Sequence, residues 1–125
     1  MPLPARRSAF PLLLSLGLAA APALAAPPEI EAVTAEPADI GWRIAVTLSH
    51  PDTGWDHYAE GWEVLDENGN RIGMRTLHHP HVNEQPFTRS LTGVMVPDGA
   101  RRVLVRARCS VDGWTGDSVA VTLDR

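Results

Sequence analysis

An all-β fold, an immunoglobulin-like two-sheet sandwich of about seven strands, is what this 125-residue sequence predicts. Three observations lead there. Apolar and polar residues alternate with period two in segment after segment. Turn-forming residues punctuate these segments at intervals of about 8–12 positions. Beyond residue 25, no window carries the apolar stripe of an amphipathic helix.

The first 25 residues read as a signal peptide rather than as part of the domain. MPLPARRS is a positive n-region, AFPLLLSLGLAAAP an apolar h-region, and Ala23–Ala25 a small-residue cleavage site. Cleavage before Ala26 leaves a domain over residues 26–125 and avoids Pro27 at the first position. The apolar run is too short and Ala-rich for a comfortable membrane span. No cysteine stands directly after the cleavage site, so no lipid anchor is expected after processing. Arg6-Arg7 raises the twin-arginine route beside the general secretory one. Either route gives a periplasmic or secreted domain.

The strands follow in order. EIEAVTAEP opens the set. In GWRIAVTLSH, Trp42, Ile44, Val46 and Leu48 face one side and Arg43, Ala45, Thr47 and Ser49 the other. EGWEVLDE comes next, closed by Asn68-Gly69, a strong hairpin turn signal. RIGMRTL, PFTRSLTGVMV, the turn Pro97–Gly99, RRVLVRARCSV and DSVAVTLD complete the chain. At this parity Trp42 and Trp62 point into the core.

Charge narrows the partners. Arg6 and Arg7 leave with the leader, so nine Arg face 15 Asp+Glu, a net charge of −6. Such a domain has no electrostatic reason to bind nucleic acid or anionic lipid. A single cysteine, Cys109, cannot form an internal disulfide. It continues the inward face of Val103, Val105 and Ala107, as a packing residue or as a thiolate ligand.

In a sandwich of this kind the loops after the second, fourth and sixth strands gather at one end. They are HPDTGWDHYA, HHPHVNEQP and VDGWTG. All five histidines fall in the first two: His50, His57, His78, His79 and His81. Imidazole is the commonest ligand of Zn, Cu and Fe, and a site needs three or four donors converging at about 2 Å. His79 and His81 are two apart and point the same way in extended backbone. The predicted ligands of a transition-metal ion (Fe, Cu or Zn) are therefore His50, His57, His79 and His81, with His78, Cys109 and Asp112 as further candidates. The bland reading makes the loop histidines solvated and His50 a core-edge residue. Trp55 and Trp114 either cap the core's end or wall a pocket. Asp52, Asp56, Glu84 and Asp112 are placed to orient histidines as much as to move protons. No nucleophile elbow or phosphate-binding glycine loop is present, and no catalytic residue is assigned.

HPDTGWDHYAEGWEVL resembles the HP…HY…W segment of the superoxide reductase (desulfoferrodoxin) family, whose metal domain is an immunoglobulin-like sandwich. The resemblance implies iron ligation by His50 and His57. That family's late C-x-x-H-G-hydrophobic motif supplies a thiolate and a histidine. CSVDGW occupies a similar place, with Cys109 at the thiolate position and Asp112 where histidine is expected. The family's early histidine, before the second strand, has no counterpart here, and the loop from His50 to His57 is one residue longer. One-electron chemistry such as superoxide reduction is what the resemblance implies, and the absent histidines argue against turnover.

HPDTG and LHHPHVNEQPF are also similar to the HPMETG and LHP…NPY stretches of another family. This is the small chaperone-like subunit of the periplasmic thiosulfate-oxidation carrier, again an immunoglobulin-like fold. That subunit binds a partner carrying sulfur intermediates and is not itself a metal enzyme. Its methionine and glutamate are absent here, Asp52 following Pro51 directly. This similarity implies a metal-free accessory module for a periplasmic protein partner, with Trp55, Tyr58, Glu84, Phe87 and Trp114 as pocket or contact residues.

Overall fold

Seven strands form two antiparallel sheets in the computed structural model, which describes residues 2–4, 26–114 and 116–124. The leader's apolar run and its cleavage junction lie outside the described residues. The strands are β1 (Glu29–Pro37), β2 (Trp42–Ser49), β3 (Ala59–Leu65), β4 (Arg71–Thr76), β5 (Phe87–Val94), β6 (Arg102–Cys109) and β7 (Val119–Thr122). One sheet has the order β1-β2-β5, the other β4-β3-β6-β7. The fold is the all-β two-sheet sandwich that the alternation predicts. β4 pairs with β3, whereas the constant-type immunoglobulin arrangement places the fourth strand in the sheet of the first, second and fifth.

Period-two alternation becomes burial on one face of each strand. In β2, Trp42, Ile44, Val46 and Leu48 are buried; in β6, so are Val103, Val105, Ala107 and Cys109. Trp62 and Val64 of β3 complete the facing layer, with Phe87 and Val94 from β5. Trp62 is completely buried, so this one ring contributes on the order of 2–3 kcal/mol of transfer free energy.

The turns fall as their residues require. Asn68-Gly69 lies in the β3–β4 hairpin, where Gly69 adopts φ 84°, a region that favours glycine. Asp66 Oδ1 accepts the backbone N–H of Asn68 and of Asn70, each at 2.9 Å, and this ties the hairpin from inside. Pro97–Gly99 lies between β5 and β6.

Up-and-down alternation sends the β2–β3, β4–β5 and β6–β7 connections to one end. There the strand ends are cross-linked. β3 begins at Ala59, opposite Cys109 at the end of β6. Ser110 N–H donates to the Tyr58 carbonyl at 2.9 Å, and Ser110 Oγ accepts the Tyr58 N–H at 3.0 Å. The β2–β3 and β6–β7 connections are thus tied to each other where they leave the sheet.

Candidate metal centre

His50, His57 and Cys109 converge. One ligand atom from each lies within 4.8 Å of the other two, and among the described residues this is the one His/Cys/Asp/Glu group of three that could hold a metal. Each arrives by a different local device. His50 is the first residue after β2 and continues its inward parity into the core end. Cys109 is the last residue of β6 and is fully buried. Its N–H and C=O both pair with Gly113, so a tight turn fixes the residue from behind. His57 closes the β2–β3 loop through paired backbone bonds: its N–H donates to Gly54, and its carbonyl accepts from Thr53.

The two imidazoles meet edge to face, with centroids 4.7 Å apart at 75°. Nδ1 of His50 lies 2.5 Å from Asp52 Oδ1, and both side chains are fully excluded from solvent. The remaining nitrogen, Nε2, is buried without a hydrogen-bond partner among the described residues, and so is Nε2 of His57. A buried polar atom left unpaired costs about 1–3 kcal/mol. Two such atoms, on rings that converge with one buried thiol, have a simple common remedy, a cation bound by all three residues. Two imidazole nitrogens and a sulfur suit iron, copper or zinc better than oxygen-seeking Mg or Ca.

The other predicted ligands do not join this group. His81 is buried, but its ring stacks on Phe87 at 3.8 Å and 8°, and its Nε2 accepts from Arg89 at 3.1 Å. Burial first, then the positive charge of Arg89, pushes its pKa below the usual histidine value. His79 is exposed; its ring lies 4.5 Å from that of His81, and its Nδ1 is 3.0 Å from the Pro80 carbonyl. His78 and Asp112 are exposed. The expected four-histidine set thus resolves into a His50–His57–Cys109 centre and a separate His79–His81 pair. The H-x-H spacing placed two rings together, as parity dictates, but packed one of them on the core.

The aromatic candidates also part company. Trp55 is 69% exposed, and its ring lies edge-on to Tyr58 at 5.7 Å, so it does not cap the core. Phe87 is a buried core residue, out of reach as a contact surface. Trp114 lies among the guanidinium groups of Arg71, Arg106 and Arg108, 5.1–5.7 Å from its ring centre. Those arginines pair with Glu63, on the outward parity of the four-stranded sheet, and with Glu60, at the break in β3 register between Ala59 and Gly61. Trp114 therefore pins the β6–β7 loop on that outer face instead of walling the centre. Glu84 is exposed and pairs with Arg89 at 3.4 Å.

Gln85 matters here and carries no sequence signal. Its Oε1 accepts the His50 N–H at 3.0 Å, and its Nε2 donates to the His81 carbonyl at 2.9 Å. The loop LHHPHVNEQP therefore clamps the centre's backbone without supplying one of its three ligands. Asp52 has a partial signal, since it stands two residues after His50 in a His-Pro-Asp run.

The chain is 43% identical over 77 residues to a protein of Halomicrobium mukohataei described as a "Putative lipoprotein". The alignment covers 62% of this chain and 37% of that protein, so the chain spans little more than a third of its relative. No family model matches the chain. No solved structure matches it.

Proposed function

We propose that this chain is a periplasmic or secreted metal-binding domain, with His50, His57 and Cys109 as protein ligands of one Fe, Cu or Zn ion. The observation that carries this reading is the convergence of His50, His57 and Cys109, whose two imidazoles each bury an unpartnered Nε2. They are also the three positions at which likeness to the superoxide reductase family implies iron ligands. Bound there, the ion would supply Lewis acidity or, for Fe and Cu, a one-electron couple. His50 and His57 hold it as neutral donors, and Cys109 as an anionic one.

Turnover of superoxide is not part of this reading. Asp112, which stands where the family has a histidine, is exposed, and no histidine precedes His50. Binding without turnover fits three ligands whose donor atoms are shut away from water. An extracytoplasmic location fits the leader and the lipoprotein description of the relative. Among the described residues, no helix is long and apolar enough to cross a membrane.

The test is direct. The untagged mature chain is loaded with Fe, Cu and Zn salts, desalted, and assayed for bound metal, visible spectrum and melting temperature. One ion per chain is expected, and a ligand at 100 times its Kd stabilises the native state by about 2.7 kcal/mol. Cys109→Ala and His57→Ala should each abolish that shift. Sub-stoichiometric metal with an unchanged melting temperature would overturn the reading.

A second reading, a partner-binding accessory module, is favoured by one observation. The three loops at this end each expose a large apolar side chain: Trp55, Val82 and Val111. Capture of a periplasmic protein that is lost in Trp55→Ala supports this reading, and equal capture by both forms removes it.

A further inference from the structure

Behind His50 stands a carboxylate with no freedom left. Asp52 Oδ1 lies 2.5 Å from His50 Nδ1 and accepts the Ala59 N–H at 2.9 Å, while Oδ2 accepts the His81 N–H at 2.8 Å. Its side chain is fully excluded from solvent. Resting on the metal reading above, we infer that Asp52 is the positioning residue of the centre: it fixes His50 as an Nε2 ligand and sets how strongly that ligand donates.

The geometry assigns the protons. Oδ1 already accepts a backbone N–H, so it meets the imidazole as an acceptor too, and Nδ1 carries the hydrogen. The lone pair is then on Nε2, the atom that is buried without a partner beside His57 and Cys109. A carboxylate hydrogen-bonded to the far nitrogen of a ligating imidazole fixes its orientation and raises its basicity. The two backbone donors come from the start of β3 and from the β4–β5 loop. Asp52 is therefore set before any ion arrives, and binding need not order it.

Gln85 provides an internal comparison. It ties the same two segments through the backbone of His50 and of His81, yet it bonds neither ring. If Asp52 served solely to knit loops together, the two residues would behave alike.

Co(II) is the probe, because a thiolate ligand gives it a charge-transfer band that reports the ligand set. Wild type, Asp52→Asn and Gln85→Ala are titrated with Co(II) after chelator treatment. We expect Asp52→Asn to weaken Co(II) about 10–100-fold and to change the band. Gln85→Ala should keep the band and lose far less affinity. Equal losses in both variants, or none in Asp52→Asn, would overturn the inference. No thiolate band in wild type would overturn the metal reading itself. Should Asp52→Asn fail to fold, long-range 15N–1H correlation on metal-free wild type decides the matter. A His50 ring protonated on Nδ1 supports the assignment, and one protonated on Nε2 overturns it.

Discussion

His50 and His57 touch edge to face at 4.7 Å, and each buries an Nε2 without a hydrogen-bond partner among the described residues. In the metal-free protein this arrangement is a cost, not a support. Replacing His57 by Leu removes one buried unpaired nitrogen and keeps an apolar side chain against His50. Metal-free His57→Leu is expected to be as stable as wild type, or more stable by about 1 kcal/mol. It should bind no metal tightly. Urea unfolding in the presence of a chelator measures this. A loss above about 1 kcal/mol would mean that the nitrogen is satisfied in solution, by the Cys109 thiol for instance.

Glu63 makes a contrasting case. Its side chain is only 2% exposed, on the outward parity of β3. It accepts from Arg71 Nε at 2.7 Å and from Arg106 Nε and Nη2 at 3.0 and 2.5 Å. Trp114 lies above, with its ring centre 5.1 Å from the Arg106 guanidinium. Glu63→Ala would strip the acceptor from two arginines, both of which retain access to water. The expected cost is about 2 kcal/mol, in the range of hydrogen bonds to charged groups. Trp114→Ala should cost about 1 kcal/mol through the lost cation–π contacts. The two losses should fall short of additive, because the residues share Arg71 and Arg106.

The sandwich was legible because its physics is local and periodic. Trp42, Ile44, Val46 and Leu48 sit at alternate positions, and a sheet with one wet face must bury them together. The gathering of the histidine loops followed from strand alternation alone. Which histidines meet was not legible in the alternation or the spacing; the resemblance to the superoxide reductase family alone pointed to His50 and His57 with Cys109. The β3–β6 register sets Cys109 opposite Ala59, two residues from His57, and His50 arrives from β2 in the facing sheet; period-two patterning encodes neither pairing partners nor which strand ends face each other. His81 shows the limit most clearly. Its spacing from His79 is that of a chelating pair, but Phe87 and Arg89 offer its ring a better-packed place. Trp114 was misplaced for a related reason: a loop tryptophan beside glycines carries no mark that three strand arginines await it. Gln85 was invisible because a clamp made of backbone bonds leaves no pattern in side-chain chemistry.

Asp66 gives a pH dependence at the end remote from the candidate metal centre. Backbone N–H donation from Asn70, with further bonds from Asn68 and Gly69, holds its pKa below the usual carboxylate value of 3.8. The folded state thus favours the ionised form more than the unfolded chain does. That contribution is fully present above pH 3.8 and fades as pH falls through the lower folded value. The stability difference between wild type and Asp66→Asn should be constant from pH 7 to about pH 5, then shrink on acidification. Denaturant midpoints at a series of pH values check this. A difference that stays flat down to pH 2.5 would show that the hairpin does not prefer the charged carboxylate.

His81 should act in a higher pH window and with the same sign. Burial is the largest cause of its lowered pKa; Arg89 and His79 add to the effect, and Glu84 and Asp52 oppose it. The unfolded chain takes up a proton near the ordinary histidine value, about 6.5, before the folded protein does. Its contribution to stability is therefore present above that pH and is lost as pH falls toward the lower folded value. His81→Phe keeps the ring on Phe87 and the backbone N–H that Asp52 accepts, and removes the titrating nitrogens. Metal-free wild type should lose stability relative to His81→Phe between pH 7.5 and pH 5, as read by urea midpoints in chelator. Parallel curves over that interval would mean that Arg89 swings away and lets His81 protonate freely. The stack of His81 on Phe87 would then have to stand without the Arg89–Nε2 bond, which adds to burial in keeping the imidazole neutral.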